Sequence, residues 1–301
     1  MDVAGLGAAL VWAGIRAIGQ FREVPSMARG WFRPITPSRD EPVKLDTSVA
    51  HIARMQNYWR GGKDNFAADR AAAEHAMAAY PDLVSSVRAN QAFLARSVRY
   101  LAGETGVRQF LDIGTGLPAA GSVHEIAQDL APASRVVYVD NDPIVLAHAR
   151  ALLASSAPGS TSYVDADVRD TSRVLEQAAA ALDFSAPVAV ILVSVLHMIQ
   201  DHDDPNAIVS RLMDAVPLGS FLVLTHVASD LEPEAMAEMA RRVNQRVAQP
   251  TTPRDYATVA RFFADLELVP PGVVRVPEWR PTSPEAAAAP STQWGGVGRK
   301  R

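Results

Sequence analysis

The sequence predicts an α/β fold: a mostly parallel sheet covered by helices on both faces and preceded by a helical cap. Three observations predict it. After Gly103, short apolar runs alternate with amphipathic helical stretches, the pattern of parallel strands joined by crossover helices. Asp142-Pro143, Asp204-Pro205 and Thr252-Pro253 each pair a capping side chain with proline at the first helical position, marking three helix starts. The chain has 301 residues, 48% hydrophobic and 21% charged, enough to bury a full core.

Residues 3–18 are apolar except for Arg16 and include Trp12. That run is shorter than the ~20 residues of a membrane span. Asp2 also stands where a secretion signal carries basic residues. The run reads as a loosely attached amphipathic helix, with a membrane-surface anchor as the alternative and no stable membrane insertion. Residues 23–42, rich in Pro, Arg and Ser, read as a linker, so 1–44 is expected to be a poorly ordered extension.

A helical cap is expected over 45–104. Asn57-Tyr58-Trp59-Arg60 leads to a break at Gly61-Gly62-Lys63-Asp64-Asn65-Phe66, where Asp64 or Asn65 can cap a helix running toward Tyr80. A second helix follows Pro81-Asp82, with Val84, Val87, Gln91, Leu94, Val98 and Leu101 on one face.

The main domain, 105–301, has expected strands at 109–113, 135–139, 162–165, 188–195 and 220–226. The connections between them suit right-handed crossovers. The helix after the first strand is expected to hold Pro118 in its first turn. Beyond the fifth strand come a helix over 232–248, with Met236, Met239, Val243 and Val247 inward, and another over 255–264. A strand-like 266–276 is interrupted by Pro270-Pro271-Gly272, a loop covers 280–291, and 293–299 reads as a last strand.

The formal net charge of −4 and pI near 6.0 give no overall basic field, which speaks against nucleic acid as the main partner. The absence of cysteine excludes disulfides and thiolate metal sites and suits a reducing cytoplasm, the expected location.

The chemistry centres on Phe110-Leu111-Asp112-Ile113-Gly114-Thr115-Gly116-Leu117-Pro118, a buried strand running into a glycine turn. Gly114, Gly116 and Ala119 satisfy a permissive dinucleotide pattern. Two residues argue against a pyrophosphate there. Pro118 lacks the N–H that such a group needs, and Asp112 sets a negative charge beside it. S-Adenosylmethionine has no phosphate, and its tail carries an ammonium that Asp112 can hold. Asp140, followed by Asn141, ends the second strand 24 residues after Gly116, where a carboxylate can accept both hydroxyls of a ribose. Asp142 reads as a helix cap only. After the third strand, Asp167 is preferred over Asp165 as acceptor from an adenine amino group, with Val168 covering the ring.

Asp112 to Gly116, Asp140, Asp165-Ala166-Asp167 and Ser194-Val195-Leu196-His197 resemble the successive motifs of class I S-adenosylmethionine-dependent methyltransferases. Gly61 to Arg70, Phe110 to Pro118, Val137 to Pro143 and Trp294 to Lys300 resemble more closely a bacterial S-adenosyl methyltransferase family first catalogued as a domain of unknown function. That resemblance spans 47–301. It implies a Rossmann-like, seven-stranded sheet with the last strand antiparallel, Ser194 among the cofactor contacts, and methyl transfer to an acceptor the family does not specify. Two departures stand out: Leu117-Pro118-Ala119 replaces the usual third glycine, and Trp59-Arg60 replaces a more apolar pair.

His197 is the candidate base, at the carboxyl edge where open α/β sheets bind ligands, with His226 a weaker candidate. Tyr58, Trp59, Asn65 and Phe66 are the cap residues expected toward the sulfonium or the acceptor. The group His197, Asp201, His202, Asp203 and Asp204 reads as a helix cap and solvated loop, with no metal site. The leading expectation is S-adenosylmethionine-dependent methyl transfer to a small-molecule O or N acceptor under the cap. A catalytically silent S-adenosylmethionine-binding sensor and a nicotinamide-dependent oxidoreductase are the alternatives.

Overall fold

The computed structural model describes residues 46–119, 121–153 and 161–301. The expected extension, 1–44, lies outside them. One compact unit runs Lys44–Arg301.

Five parallel strands, β1 (Gln109–Ile113), β2 (Arg135–Asp140), β3 (Thr161–Asp165), β4 (Ala189–Val193) and β5 (Phe221–Val227), stand in the order 3-2-1-4-5. The chain leaves β1 toward β2 on one side and later returns to β4 on the other, so ligands of such a sheet bind at the carboxyl ends of β1 and β4. Short β6 (Glu267–Leu268) and β7 (Val274–Arg275) precede β8 (Gln293–Arg299), which runs antiparallel between β5 and β6 and also pairs with β7. The fold is the expected Rossmann-like one, its chain-terminal strand antiparallel. Eight strands are counted among the described residues because the interrupted 266–276 supplies two. Gly295 in β8 is obligatory: a Cβ there would stand 2.8 Å from Val276 Cγ1 and 2.9 Å from Thr225 Cγ2.

Alternation along the strands builds two cores. Leu111, Ile113, Val137, Val139, Leu192 and Leu224 pack on Val174 of α6 (Thr171–Ala178), Leu212 of α7 (Pro205–Asp214) and Val259 of α9 (Tyr256–Arg261). Phe110, Val136, Tyr138, Ile191 and Val223 face the other way, onto Phe93 and Val98 of α3 (Leu83–Arg99) and Val123 and Ile126 of α4 (Val123–Leu130). The second helix of the expected cap therefore also covers the sheet. A third core joins Met55 and Trp59 of α1 (Ile52–Trp59), Ala72, Ala73 and Ala76 of α2 (Ala67–Ala79), and Met236, Met239 and Val243 of α8 (Pro233–Asn244). A helix from beyond the fifth strand thus completes the cap. Within it, fully buried Asp69 accepts from the N–H groups of Phe66 (2.8 Å) and His51 (2.9 Å) and pairs with Arg54 Nε at 3.2 Å, tying α1 to α2.

Three helix starts differ from expectation. Asp69, rather than Asp64 or Asn65, satisfies the start of α2. The helix after the glycine turn begins at Val123, because Glu125 accepts from the N–H groups of Gly121 (2.7 Å) and Ser122 (3.2 Å); Pro118 lies in the turn before it. Thr252-Pro253 starts no helix: Arg254 bridges to β5 (N–H to Val227 O, 3.0 Å), and Asp255 caps α9 by accepting from Thr258 N at 2.8 Å. Asp142 caps α5 (Pro143–Leu153) and Asp204 caps α7, accepting from Ile144 N (2.8 Å) and Ala207 N (3.1 Å) as the Asp-Pro pairs predict.

Candidate functional site

A cavity opens at the carboxyl edge of β1, β2 and β4, between the sheet and α1. Its floor is the turn after β1. Gly114 sits at φ +72°, and a Cβ on it would lie 2.5 Å from Val195 Cγ2, so only glycine lets β1 and the loop after β4 meet there. Gly116 donates its N–H to Asp140 Oδ2 at 2.8 Å, and Asp142 N–H reaches Asp140 Oδ1 at 2.9 Å. Asp140 thus holds the turn shut, while a carboxylate's remaining lone pairs can still accept two hydroxyls. Burial raises its pKa, and Asp142 adds to that against the two N–H bonds.

Asp112 is 6% exposed and in register with Tyr138, which is in register with Tyr163 and stacks on it at 4.9 Å. Burial pushes the Asp112 carboxyl up to about 7; Asp140 adds to the rise, while a hydrogen bond from Thr115 and the charge of Arg60 oppose it. Asp167 takes the Arg169 fork (Nε–Oδ1 2.9 Å, Nη2–Oδ2 2.6 Å) and the Asn141 amide at 3.0 Å, which hold its carboxyl below the usual range. Asp167 and Val168 line the cavity; Asp165 does not. Ser194 lies at φ +55°, a costly conformation for a residue with a side chain. Three elements fix it: its N–H donates to Thr225 Oγ1 (3.0 Å), while its hydroxyl accepts from Asn90 Nδ2 (2.9 Å) and donates to Gln293 Oε1 (3.1 Å).

All eight residues expected around the cofactor line this one cavity: Asp112, Gly114, Gly116, Asp140, Asn141, Asp167, Val168 and Ser194. The expected cap residues do not. Trp59 is buried in the cap core with its Nε1 directed to Ala73 O at 3.3 Å, and the Tyr58 hydroxyl bonds Glu74 at 3.1 Å. The Asn65 amide donates to Asn57 Oδ1 and Gly62 O, both at 2.9 Å, and Phe66 lies 5.5 Å from the Arg54 guanidinium. In their place α1 presents Ala53, Gln56 and Arg60, spaced i, i+3, i+7, and α3 presents Gln91 and Leu94. The signal was the helical period. With Met55 and Trp59 on the cap core, the adjoining stripe had to carry a second contact. Ala53 also packs on the small cluster of Leu117, Ile144 and Val145 beside the turn.

His197 and His226 lie outside the cavity lining. His197 is 2% exposed with its ring 6.0 Å from that of His226, and burial, then Arg254, pushes its pKa down to about 4. His226 donates Nδ1–H to Val227 O at 2.8 Å and accepts from Arg254 Nη1 at 2.9 Å; burial, His197 and Arg254 lower it to about 3. Arg254 also donates to Leu196 O (3.0 Å), Ile199 O (2.7 Å) and Asp201 (2.7 Å), so this cluster pins the loop after β4. The imidazoles that do line the cavity are His51, 2.9 Å through Nδ1 from Asp142 Oδ2, and His124, 2.8 Å through Nδ1 from the Tyr138 hydroxyl. Asp142 is therefore more than a helix cap. Among the described residues no three His, Cys, Asp or Glu side chains converge as metal ligands, and no helix is long and apolar enough to cross a membrane.

Residues 38–301 match a family described as S-adenosyl methyltransferase. A crystal structure of a DUF574 family protein from Streptomyces avermitilis MA-4680 is 41% identical, with a TM-score of 0.81 over 85% of this chain and 99% of that one. A candidate methyltransferase from Thermobifida fusca YX is likewise 41% identical, with a TM-score of 0.81 over 88% of this chain and 100% of that one. No curated protein matches the chain.

Proposed function

The chain belongs to the S-adenosyl methyltransferase family, and from that premise we propose that its cavity carries the cofactor along β1, β2 and β3, with a small-molecule acceptor under α1. The enzyme is an S-adenosylmethionine-dependent methyltransferase. When bound, the cofactor would supply an electrophilic methyl on a sulfonium: an acceptor lone pair forms the new bond to that carbon in line as the carbon–sulfur bond breaks, and the neutral thioether leaves without needing an acid.

One observation carries the site assignment: three carboxylates, Asp112, Asp140 and Asp167, line a single cavity on successive strand ends. That row repels a pyrophosphate and offers acceptors for an ammonium, a ribose diol and an adenine amino group, in that order. The charge argument stands without Pro118, which lies ahead of the helix terminus.

This chain's residues bind and orient. Asp112 takes the ammonium, Asp140 the ribose, and Asp167 with Asn141 and Val168 the adenine. Positioning of this kind supplies most of the rate for a displacement that needs no acid. Toward the acceptor the lining is Ile52, Ala53, Leu94, Met198 and Ile199, with the amides of Gln56 and Gln249, a surface suited to a largely apolar acceptor with a nucleophilic O or N. His51, backed by Asp142, takes the place given to His197 as the imidazole available for the acceptor's proton. Calorimetric titration of the full chain with S-adenosylmethionine, S-adenosylhomocysteine and NAD tests the reading. The two sulfur compounds should bind and NAD should not; NAD binding with no response to either of the others would overturn it.

A further inference from the structure

Arg60 and Asp112 both line the cavity, and each feels the other's charge. Neither forms an ion pair with the other or with any described side chain. Arg60, at the end of α1, has its guanidinium against one neutral group: the three N–H donors require the Gln91 amide to present its oxygen, which then accepts from Nη2 at 2.8 Å and from Nη1 and Nε at 3.1 Å. Burial lowers the Arg60 pKa to about 10 and raises that of Asp112, so each charge is held in a setting that disfavours it. A half-buried guanidinium and a buried carboxyl that line one cavity without an ion pair to each other are costly until something pairs with both. An α-amino acid does so, since it carries a carboxylate and an ammonium on one carbon.

Resting on the methyltransferase reading above, we propose that Arg60, aimed by Gln91, receives the carboxylate of the cofactor's amino-acid tail opposite Asp112, so that the tail ties α1 of the cap to the sheet. Arg60 is the binding residue; its guanidinium matches a carboxylate by paired N–H donors. Gln91 is a positioning residue. It sits on α3, which packs on the sheet through Phe93 and Val98, and so gives Arg60 a fixed reference. The consequence is an order of assembly. Ala53, Gln56 and Arg60 share one stripe of α1, so the tail that holds Arg60 also sets the residues toward the acceptor, and cofactor binds before acceptor.

The test compares S-adenosylhomocysteine with 5′-methylthioadenosine, which keeps the adenosine and the thioether but lacks the amino-acid tail, by calorimetry on the full chain. Arg60→Met should weaken S-adenosylhomocysteine about tenfold or more and leave methylthioadenosine within about twofold. Gln91→Ala should show the same split at smaller size, and Arg60→Lys should recover part of the loss. An equal loss for both ligands, or none for either, overturns the proposal. Hydrogen exchange on the unsubstituted chain tests it even if Arg60→Met fails to fold: S-adenosylhomocysteine should slow exchange in α1 and methylthioadenosine should not, and equal protection would contradict the tie. If the unsubstituted chain binds neither compound, the methyltransferase site assignment fails instead.

Discussion

At the residue scale the proposed cofactor site rests on Asp112, a carboxyl group whose pKa burial raises toward neutrality. Asp112 is raised to about 7 by burial, so between its ordinary value of 3.8 and 7 the free protein holds a proton there. A bound ammonium needs the ionised form and expels that proton. Affinity for S-adenosylhomocysteine should therefore fall as pH drops below about 7, by up to about tenfold per pH unit. Asp112→Asn should bind more weakly at pH 8 and lose most of that slope; a slope unchanged in the variant would count against the assignment. The buried histidines act on stability with a defined sign. His197 and His226 are lowered to about 4 and 3, so the unfolded chain takes up protons below about pH 6.5 that the folded chain refuses, and each costs stability as pH falls toward 4. Asp112 works the other way over part of that range. In His197→Phe, which removes a buried Nδ1 that has no partner, urea unfolding should show a shallower loss, by about 1.4 kcal/mol per pH unit between pH 6 and 4.

At the element scale the cap hangs on one side chain. Asp69 joins the start of α2, the backbone of His51 and the guanidinium of Arg54, itself 5% exposed. Asp69→Ala leaves that guanidinium buried without its carboxylate and should cost about 3–5 kcal/mol in denaturant unfolding. The five parallel strands were legible because each is a short apolar run bounded by turn residues, and the Asp-Pro helix starts because cap and proline act locally. The start of α4 was misplaced because Pro118 offered the same local signal as Ser122 and Glu125, and only the accepted N–H groups decide between them. Thr252-Pro253 misled for the same reason: the tertiary bonds of Arg254 override a local pattern.

At the scale of the whole molecule, the sheet side of the cavity proposed as the site could be read from the sequence and the cap side could not. Asp112, Asp140, Asp167 and Ser194 fall at strand ends, and the strand order sends strand ends to one edge. Of the expected cap residues, Trp59 is taken up by the third core and Asn65 by its bonds to Asn57 and Gly62; the residues that face the cavity follow from how α1 sits against α2 and the cluster at the glycine turn. His197 lies near the edge in sequence, but its buried ring packs against that of His226, which Arg254 holds by a hydrogen bond. Nearly the full length of each related crystal structure is matched, so the fold that carries the proposed site is a shared architecture. The most direct test of the central claim is a crystal structure of the chain with S-adenosylhomocysteine. The ammonium should lie at Asp112, the ribose hydroxyls at Asp140 and the adenine beside Asp167 and Val168; a ligand bound outside the cavity at the ends of β1 and β4, or reversed within it, would contradict the assignment.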